Sequence, residues 1–357
     1  MPDEPRNSEE NSPEGAPTGA TLSDAKPDAD KSSLLEAESP KPSFSLSLLR
    51  LMRIPNVFTA IADVMMGFIF IHQSFEPVGG LVLLILATAC LYSAGMILND
   101  VFDFKVDSEL RPERPIPSGA ISLRTASLWG TGLLTAGFLL ASASFAFNDL
   151  DSVWIGFEPS IVAACLIVAI LLYNKVLKKT PLAPLAMGSC RFLNILLGMS
   201  LVTTGEVNLL PAGAIVAGGV GLFIAGVTWF ARTEAQAESN QKLLTFGFVV
   251  MVLGLGTIMS TPFWNLDLPM TVNPQNPSLL PIMIGFIGLS IGRLALMAIA
   301  DPIPQNVQMT IKQCILSLIL INAALCLWIQ PYQVFFAFSV VVLIFPTILL
   351  GRMFRST

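Results

Sequence analysis

Residues 80–107 read GLVLLILATACLYSAGMILNDVFDFKVD, an apolar run free of charge through Leu98 that ends at once in Asn99, Asp100, Asp103 and Asp107. A helix needs about 20 apolar residues to cross a hydrocarbon core of about 30 Å. The stretch therefore reads as a membrane span with an acidic end. Comparable runs on either side of it occupy 54–73, 125–146, 160–174, 182–204, 210–230, 243–261, 279–299, 313–329 and 332–351. Only Gln330 and Pro331 part the last two, so the fold expected is an all-α polytopic membrane bundle of nine to ten transmembrane helices.

Composition excludes the main alternative. Of the 357 residues 53% are hydrophobic and 13% charged, about half the charge of an ordinary soluble domain. The formal charge of −5 is local. Residues 1–42 hold ten acids against four bases, a balance of −6, and the rest of the chain carries +1. Rich in Pro, Ser, Asp and Glu, residues 1–44 read as a disordered acidic tail with too little apolar surface to offset chain entropy. It also lacks the basic-then-apolar pattern of a secretory signal. Residues 45–351 form the expected membrane domain and 352–357 a short C-terminal tail. The five cysteines sit singly in apolar runs with one histidine, His72, which excludes a zinc site or disulfide framework.

Orientation follows from the cations. Lys105, Arg111, Arg114, Arg124, Lys175, Lys178, Lys179, Arg232, Lys242 and Lys312 all fall in the connections after spans 2, 4, 6 and 8. The opposite connections hold only acids, among them Glu76, Asp149, Glu158 and Asp267. Lys and Arg bias a loop toward the cytoplasm. The reading is an integral protein of the cytoplasmic membrane with a cytoplasmic N-terminus.

Three ionisable residues stand inside spans: Asp63, Arg191 and Arg293. Each costs roughly 2.5 to 3.5 kcal/mol at mid-bilayer, so each is expected to face a cavity or a partner. Asn56 lies two turns from Asp63 on one face, and Arg191 shares a face with Asn194. A buried Asp63–Arg191 ion pair and a role in binding substrate are both open.

On a helix Asn99, Asp103 and Asp107 fall at i, i+4 and i+8, with Asp100 beside them. Like charges at that spacing repel. Oxygen ligands without His or Cys suit Mg²⁺, which binds through a few carboxylates while substrate phosphates complete its shell; a solvated helix end is the alternative. The following stretch, Arg111-Pro112-Glu113-Arg114-Pro115-Ile116-Pro117-Ser118-Gly119, adds two guanidinium groups suited to phosphate oxygens. Carboxylates for a metal beside arginines for phosphate describe a diphosphate site. After span 6, Glu234 and Glu238 repeat the i, i+4 spacing and offer a second metal cluster.

The pattern NDxxDxxxD followed by RPxRPIPSG resembles the first signature of the UbiA superfamily of intramembrane prenyltransferases. Arg53-Ile54-Pro55-Asn56 resembles the start of that family's first helix, and Tyr173 with Lys178 and Lys179 its Tyr/Lys connection. MGSCRFLN, with Arg191 and Asn194, and WFARTEA are similar to the EboC-like subgroup. The chain departs from the pattern where Glu234 and Glu238 replace aspartates and where Lys178 stands one place late. The resemblance implies a bundle around a central cavity and a Mg²⁺-dependent transferase that moves an isoprenoid chain from a prenyl diphosphate to a small or aromatic acceptor. It implies Asn99, Asp103, Asp107, Glu234 and Glu238, with Asp100 a lesser candidate, as ligands of Mg²⁺. Arg111, Arg114, Lys178 and Lys179 would hold the diphosphate, and Asn56, Asp63, Tyr173, Arg191 and Asn194 would face the acceptor. A silent homologue that carries an isoprenoid or pigment precursor, or a membrane scaffold, are the rival readings. No feature suggests nucleic-acid binding.

Overall fold

The computed structural model describes residues 43–147, 158–201, 210–232, 241–264 and 277–353. The tail up to residue 42 lies outside them, as do Glu234 and Glu238.

In chain order the helices are α1 (Phe44–Leu51), α2 (Ile54–His72), α3 (Val78–Phe102), α4 (Phe104–Leu110), α5 (Leu123–Ser144), α6 (Pro159–Lys175) and α7 (Ala183–Gly198). There follow α8 (Leu210–Ala231), α9 (Gln241–Ser260), α10 (Leu279–Ala300), α11 (Pro304–Ile329), α12 (Val334–Val341) and α13 (Ile344–Met353). Their starts are written in the sequence. Prolines occupy the first turn of α2, α6, α7 and α11, where the missing N–H costs no hydrogen bond. Ser122 caps α5 by accepting from the Thr125 N–H at 3.1 Å.

Eight helical stretches are long and apolar enough to cross a membrane, and α6 and α7 are shorter apolar helices. Together they match the ten runs of the sequence. The last run is not one straight helix: it breaks at Val342 and Leu343 between α12 and α13.

The helices close a ring in chain order. α2 packs on α3, α3 on α5, α5 on α6, α6 on α7, and so on through α8, α9, α10 and α11, which returns to α2. α2 also packs on α7 across the ring, so these two helices are a wall shared by two halves. Burial follows this plan: 67% of the α2 window is buried but 22% of the α10 window.

The shared wall depends on two glycines. A Cβ on Gly198 of α7 would stand 2.3 Å from the Val64 carbonyl oxygen of α2, and one on Gly67 would stand 2.5 Å from that of Ile195. Small residues let membrane helices approach at backbone distance. Gly198→Ala is expected to cost about 1–3 kcal/mol through overpacking, seen as a lowered melting midpoint in detergent. Gly132→Ala, with nothing within 4 Å of its Cβ, is the control and leaves the midpoint in place.

Arg293 corrects an expectation. It faces neither a cavity nor an ion-pair partner among the described residues; it is exposed on the outer side of α10 near exposed Leu289 and Leu296. Seven residues separate it from Ala300 at the helix end, about 10 Å of rise. A long arginine stem on this rim can snorkel to the membrane interface.

Candidate functional site

The acidic row begins where α3 gives way to α4. The two helices are separate elements, yet the i to i−4 ladder runs through the junction. Asp103 N–H donates to Asn99 C=O at 3.0 Å, Asp107 to Asp103 at 2.9 Å and Arg111 to Asp107 at 2.8 Å. Asn99, Asp103 and Asp107 therefore keep the single face that their spacing predicts. The solvated helix end is excluded, because Asn99, Asp100 and Asp107 are 9%, 7% and 6% exposed.

Cations hold the row together. Lys178 Nζ donates to Asn99 Oδ1 at 2.7 Å and to Asp103 Oδ2. Arg114 Nη1 donates to Asp107 Oδ2 at 2.6 Å and reaches Asp100 Oδ1 at 3.4 Å. Arg53 Nη2 stands 3.6 Å from the same Asp100 oxygen. Three carboxylates thus face three cations, and the cluster is neutral.

Each cation is placed by a local device. Arg53 caps the start of α2 at φ 49°, a left-handed conformation that costs an L-residue about 1–2 kcal/mol and persists where surroundings enforce it. Arg114 is held by the loop that follows α4, which buries Ile116 and Ile121 against Leu51, Ile97 and Ala126. Gly119, at φ 75°, makes the turn. Lys178 gains its position from the end of α6, which stops at Lys175 and tightens into a 3-10 turn over Leu177–Lys179. That break absorbs the one-residue offset of the lysine from its expected place. Arg232, at the end of α8, donates to the Thr180 carbonyl at the end of the same turn at 2.5 Å.

Two expected phosphate ligands are not gathered in. Arg111 and Lys179 are exposed and belong to none of the ion pairs among the described residues. Both lie on the outward side of the turns that aim Arg114 and Lys178 inward.

Membrane-ward of this layer lies a second polar group. Arg191 Nη1 pairs with buried Asp63 Oδ2 at 2.6 Å, and its Nη2 donates to Thr59 Oγ1 at 2.8 Å. Asn322 of α11 donates to Asp63 Oδ1 at 2.8 Å. Asn194 donates to the Ala60 carbonyl at 2.9 Å and accepts from Thr88 Oγ1 at 2.5 Å. The guanidinium also sits 5.7 Å from the centre of the Tyr92 ring, within cation–π range. The buried ion pair of the sequence reading is therefore present. Asn56 stays apart: it is not among the residues lining the adjoining cavity.

That cavity opens in one half of the ring, between α2, α3, α6 and α7. Arg191, Asn194, Tyr92, Tyr173 and Asn174 bring polar groups to a mostly apolar lining that includes Leu91, Leu166 and Met187.

Among the described residues no three His, Cys, Asp or Glu side chains gather as a metal cage. Mg²⁺ does not require one, since it commonly takes one or two carboxylates and completes its octahedron with waters and phosphates. Here Asn99 Oδ1 and Asp103 Oδ2 converge on the Lys178 ammonium, and Asp100 and Asp107 on the Arg114 guanidinium. Oxygen pairs that already surround a cation fit such an ion.

Residues 60–302 match the UbiA prenyltransferase family. The chain belongs to this family. Among curated relatives of this UbiA-family protein, digeranylgeranylglyceryl phosphate synthase of Metallosphaera sedula is 33% identical over 132 residues, 37% of this chain and 43% of the relative. The same-named protein of Saccharolobus solfataricus is 31% identical over 134 residues, 38% of this chain and 44% of the relative. The chain thus spans less than half the length of these relatives. A solved structure of digeranylgeranylglyceryl phosphate synthase superposes with a TM-score of 0.57 at 18% identity, covering 81% of this chain and 99% of that one. A UbiA homologue from Archaeoglobus fulgidus, bound to DMAPP and Mg²⁺, superposes with a TM-score of 0.51 at 12% identity over 83% of this chain and 99% of its own. At these identities the likeness is one of fold.

Several site residues escaped the sequence reading. Arg53 was visible only as the start of a helix. Asn322 carried a signal, a lone amide within an apolar span, but attention to ionisable groups passes over it. Thr59, Thr88 and Asn174 offered none, being polar residues of common helical types.

Proposed function

We propose that this protein transfers an isoprenoid chain from a prenyl diphosphate to a small acceptor inside the membrane, using Mg²⁺ at the cytoplasmic face. The observation that carries the reading is the buried acidic row already wrapped around cationic nitrogens, with a largely apolar cavity directly membrane-ward of it. Arg53, Arg114 and Lys178 are the phosphate ligands at hand, and their carboxylate partners are the metal ligands. Glu234 and Glu238 complete the donor set in this reading. The segregation of Lys and Arg supports the orientation, and the relatives named for a prenyl transfer product support the reaction class.

In the reaction the C1–O bond of the prenyl diphosphate breaks, and its electron pair leaves with pyrophosphate. Bound Mg²⁺ supplies charge neutralisation on that leaving group. Lys178 and Arg114 orient phosphate oxygens, while the apolar cavity keeps water from the developing allyl cation. The acceptor's electron pair forms the new bond to C1. The acceptor's proton leaves with the departing pyrophosphate, which balances the step.

Purified protein in nanodiscs, given geranylgeranyl diphosphate and an extract of native lipids, is expected to release pyrophosphate, and chelation of Mg²⁺ is expected to stop it. Diphosphate binding with no release under any acceptor mixture would replace the enzyme by a carrier. Lys178→Gln is expected to raise the KM for the diphosphate about tenfold to a hundredfold, the worth of a charge-assisted hydrogen bond, measured by steady-state kinetics at saturating Mg²⁺.

A further inference from the structure

Two cations on the outer rim of the ring are left without a counter-charge. Arg293 of α10 and Lys312 of α11 are both exposed, and neither belongs to an ion pair among the described residues. By sequence Lys312 falls in a connection, yet α11 begins at Pro304 and carries it about two turns into the helix. A cation that far along an apolar helix calls for an anion beside it.

The register of the two helices brings these charges to one level. Gln313 Nε2 donates to Ser290 Oγ at 3.4 Å across the seam between α10 and α11. Arg293 follows Ser290 by three residues and Lys312 precedes Gln313 by one. The helices run in opposite directions about the connection at 301–303, so both steps lead toward that connection. Arg293 lies seven residues before Ala300 and Lys312 eight residues after Pro304, about 10 and about 12 Å of rise. The two also share a side. Arg293 is about 60° round α10 from Ser290, toward exposed Phe286 and Met297 and away from buried Ile291 and Ala298. Lys312 is about 100° round α11 from Gln313, toward exposed Met309 and away from buried Cys314 and Ser317. One outward groove therefore has a guanidinium on one bank, an ammonium on the other, and an amide and a hydroxyl at its seam.

The missing anion does not come from a second copy of the chain. The carboxylates on the described membrane-spanning helices are Asp63 and Asp100, both buried and paired, with Arg191 and with Arg114. The membrane itself supplies anions at this level, in the phosphates of the adjoining leaflet, and long cationic stems on a rim reach up to them.

We infer that the α10–α11 groove binds an anionic glycerophospholipid, whose phosphate lies between Arg293 and Lys312 and whose acyl chains run down exposed Leu289, Phe286 and Ile282. The guanidinium takes two phosphate oxygens and the ammonium adds a point charge. Ser290 Oγ accepts from Gln313, which leaves its own proton for an ester oxygen just below the phosphate. A headgroup with its own ammonium sets a third cation beside these two, so a net-negative lipid is preferred to a zwitterionic one. The groove stands apart from the cavity, which is lined from α2, α3, α6 and α7, and the inference does not depend on the proposed transfer.

The test adds dioleoylphosphatidylglycerol or dioleoylphosphatidylcholine to the full chain in a neutral detergent and counts bound lipid by native mass spectrometry. With about fivefold in affinity for each cation beside a lipid phosphate, the first phosphatidylglycerol is expected to bind about twentyfold tighter than phosphatidylcholine. Arg293→Gln and Lys312→Gln are each expected to lower that preference about fivefold and the double variant to abolish it, with melting midpoints unchanged because both side chains are exposed. Arg124→Gln, which removes an exposed cation at the start of α5, is the control and keeps the preference within about twofold. Equal binding of the two lipids by the unaltered protein overturns the inference without reference to any variant. So does a preference that survives in the folded double variant or falls as far in Arg124→Gln. Displacement of the phosphatidylglycerol by equimolar inorganic phosphate would make this a site for the free anion, and a dimer lost in the double variant would make it a contact between copies; either result overturns a lipid as the occupant.

Discussion

Asp103→Asn is expected to lower isoprenoid transfer by about 10²- to 10³-fold, the range seen when one preorganised electrostatic contact to a transition state is removed. The substitution changes charge and leaves shape almost untouched. Asp103 Oδ2 is the acceptor for both Lys178 and the Asn99 amide, and the backbone ladder through residue 103 does not involve the side chain. The variant is therefore expected to melt with the unaltered protein. What it loses is the anionic oxygen that turns Asn99 and Asp103 into a cation-holding pair. Pyrophosphate release at saturating Mg²⁺ and diphosphate is the measurement. A rate within about threefold of wild type would place the catalytic charge elsewhere and remove the reason for reading α3 and α4 as a metal site.

The parts of this arrangement that the sequence reveals are those with a strict physical period or cost. A lipid core forces each backbone polar group to be paired within its own helix, so apolar runs of about 20 residues translate directly into α2, α3, α5 and α8 to α11. The acidic row is legible for a similar reason: repulsion at i, i+4 makes Asn99, Asp103 and Asp107 conspicuous. Asp63 and Arg191 announce themselves because an unpaired charge in a span is expensive.

The features that stay hidden are those set by breaks in a period. A single 3-10 turn decides that Lys178 faces Asn99 while Lys179 faces out. A left-handed residue aims Arg53 at Asp100, and buried Ile116 selects Arg114 over Arg111. Arg293 shows the complementary error. A charge within a span is expected to face inward only if the helix has no route to the interface, and near the end of a rim helix it has one.

Asp63→Leu is expected to destabilise the protein by about 3–5 kcal/mol, the cost of leaving a buried charge without its partner. In this chain the stranded group is Arg191, whose guanidinium would keep only Thr59 and the face of Tyr92. Asn322 and Asn194 would also each lose an acceptor. At roughly 2–4 °C per kcal/mol for larger domains, the apparent melting midpoint should fall on the order of 10 °C. Asp63→Leu combined with Arg191→Leu is expected to recover most of that loss, because paired burial of opposite charges contributes little net stability over an apolar pair. The double variant thus separates two roles that the geometry superimposes. If stability returns while transfer stays low, the pair exists to shape the cavity beside Asn174 and Tyr173; if the single variant melts with wild type, the ion pair does not brace α2 against α7, and the glycine contacts at Gly67 and Gly198 hold that wall alone.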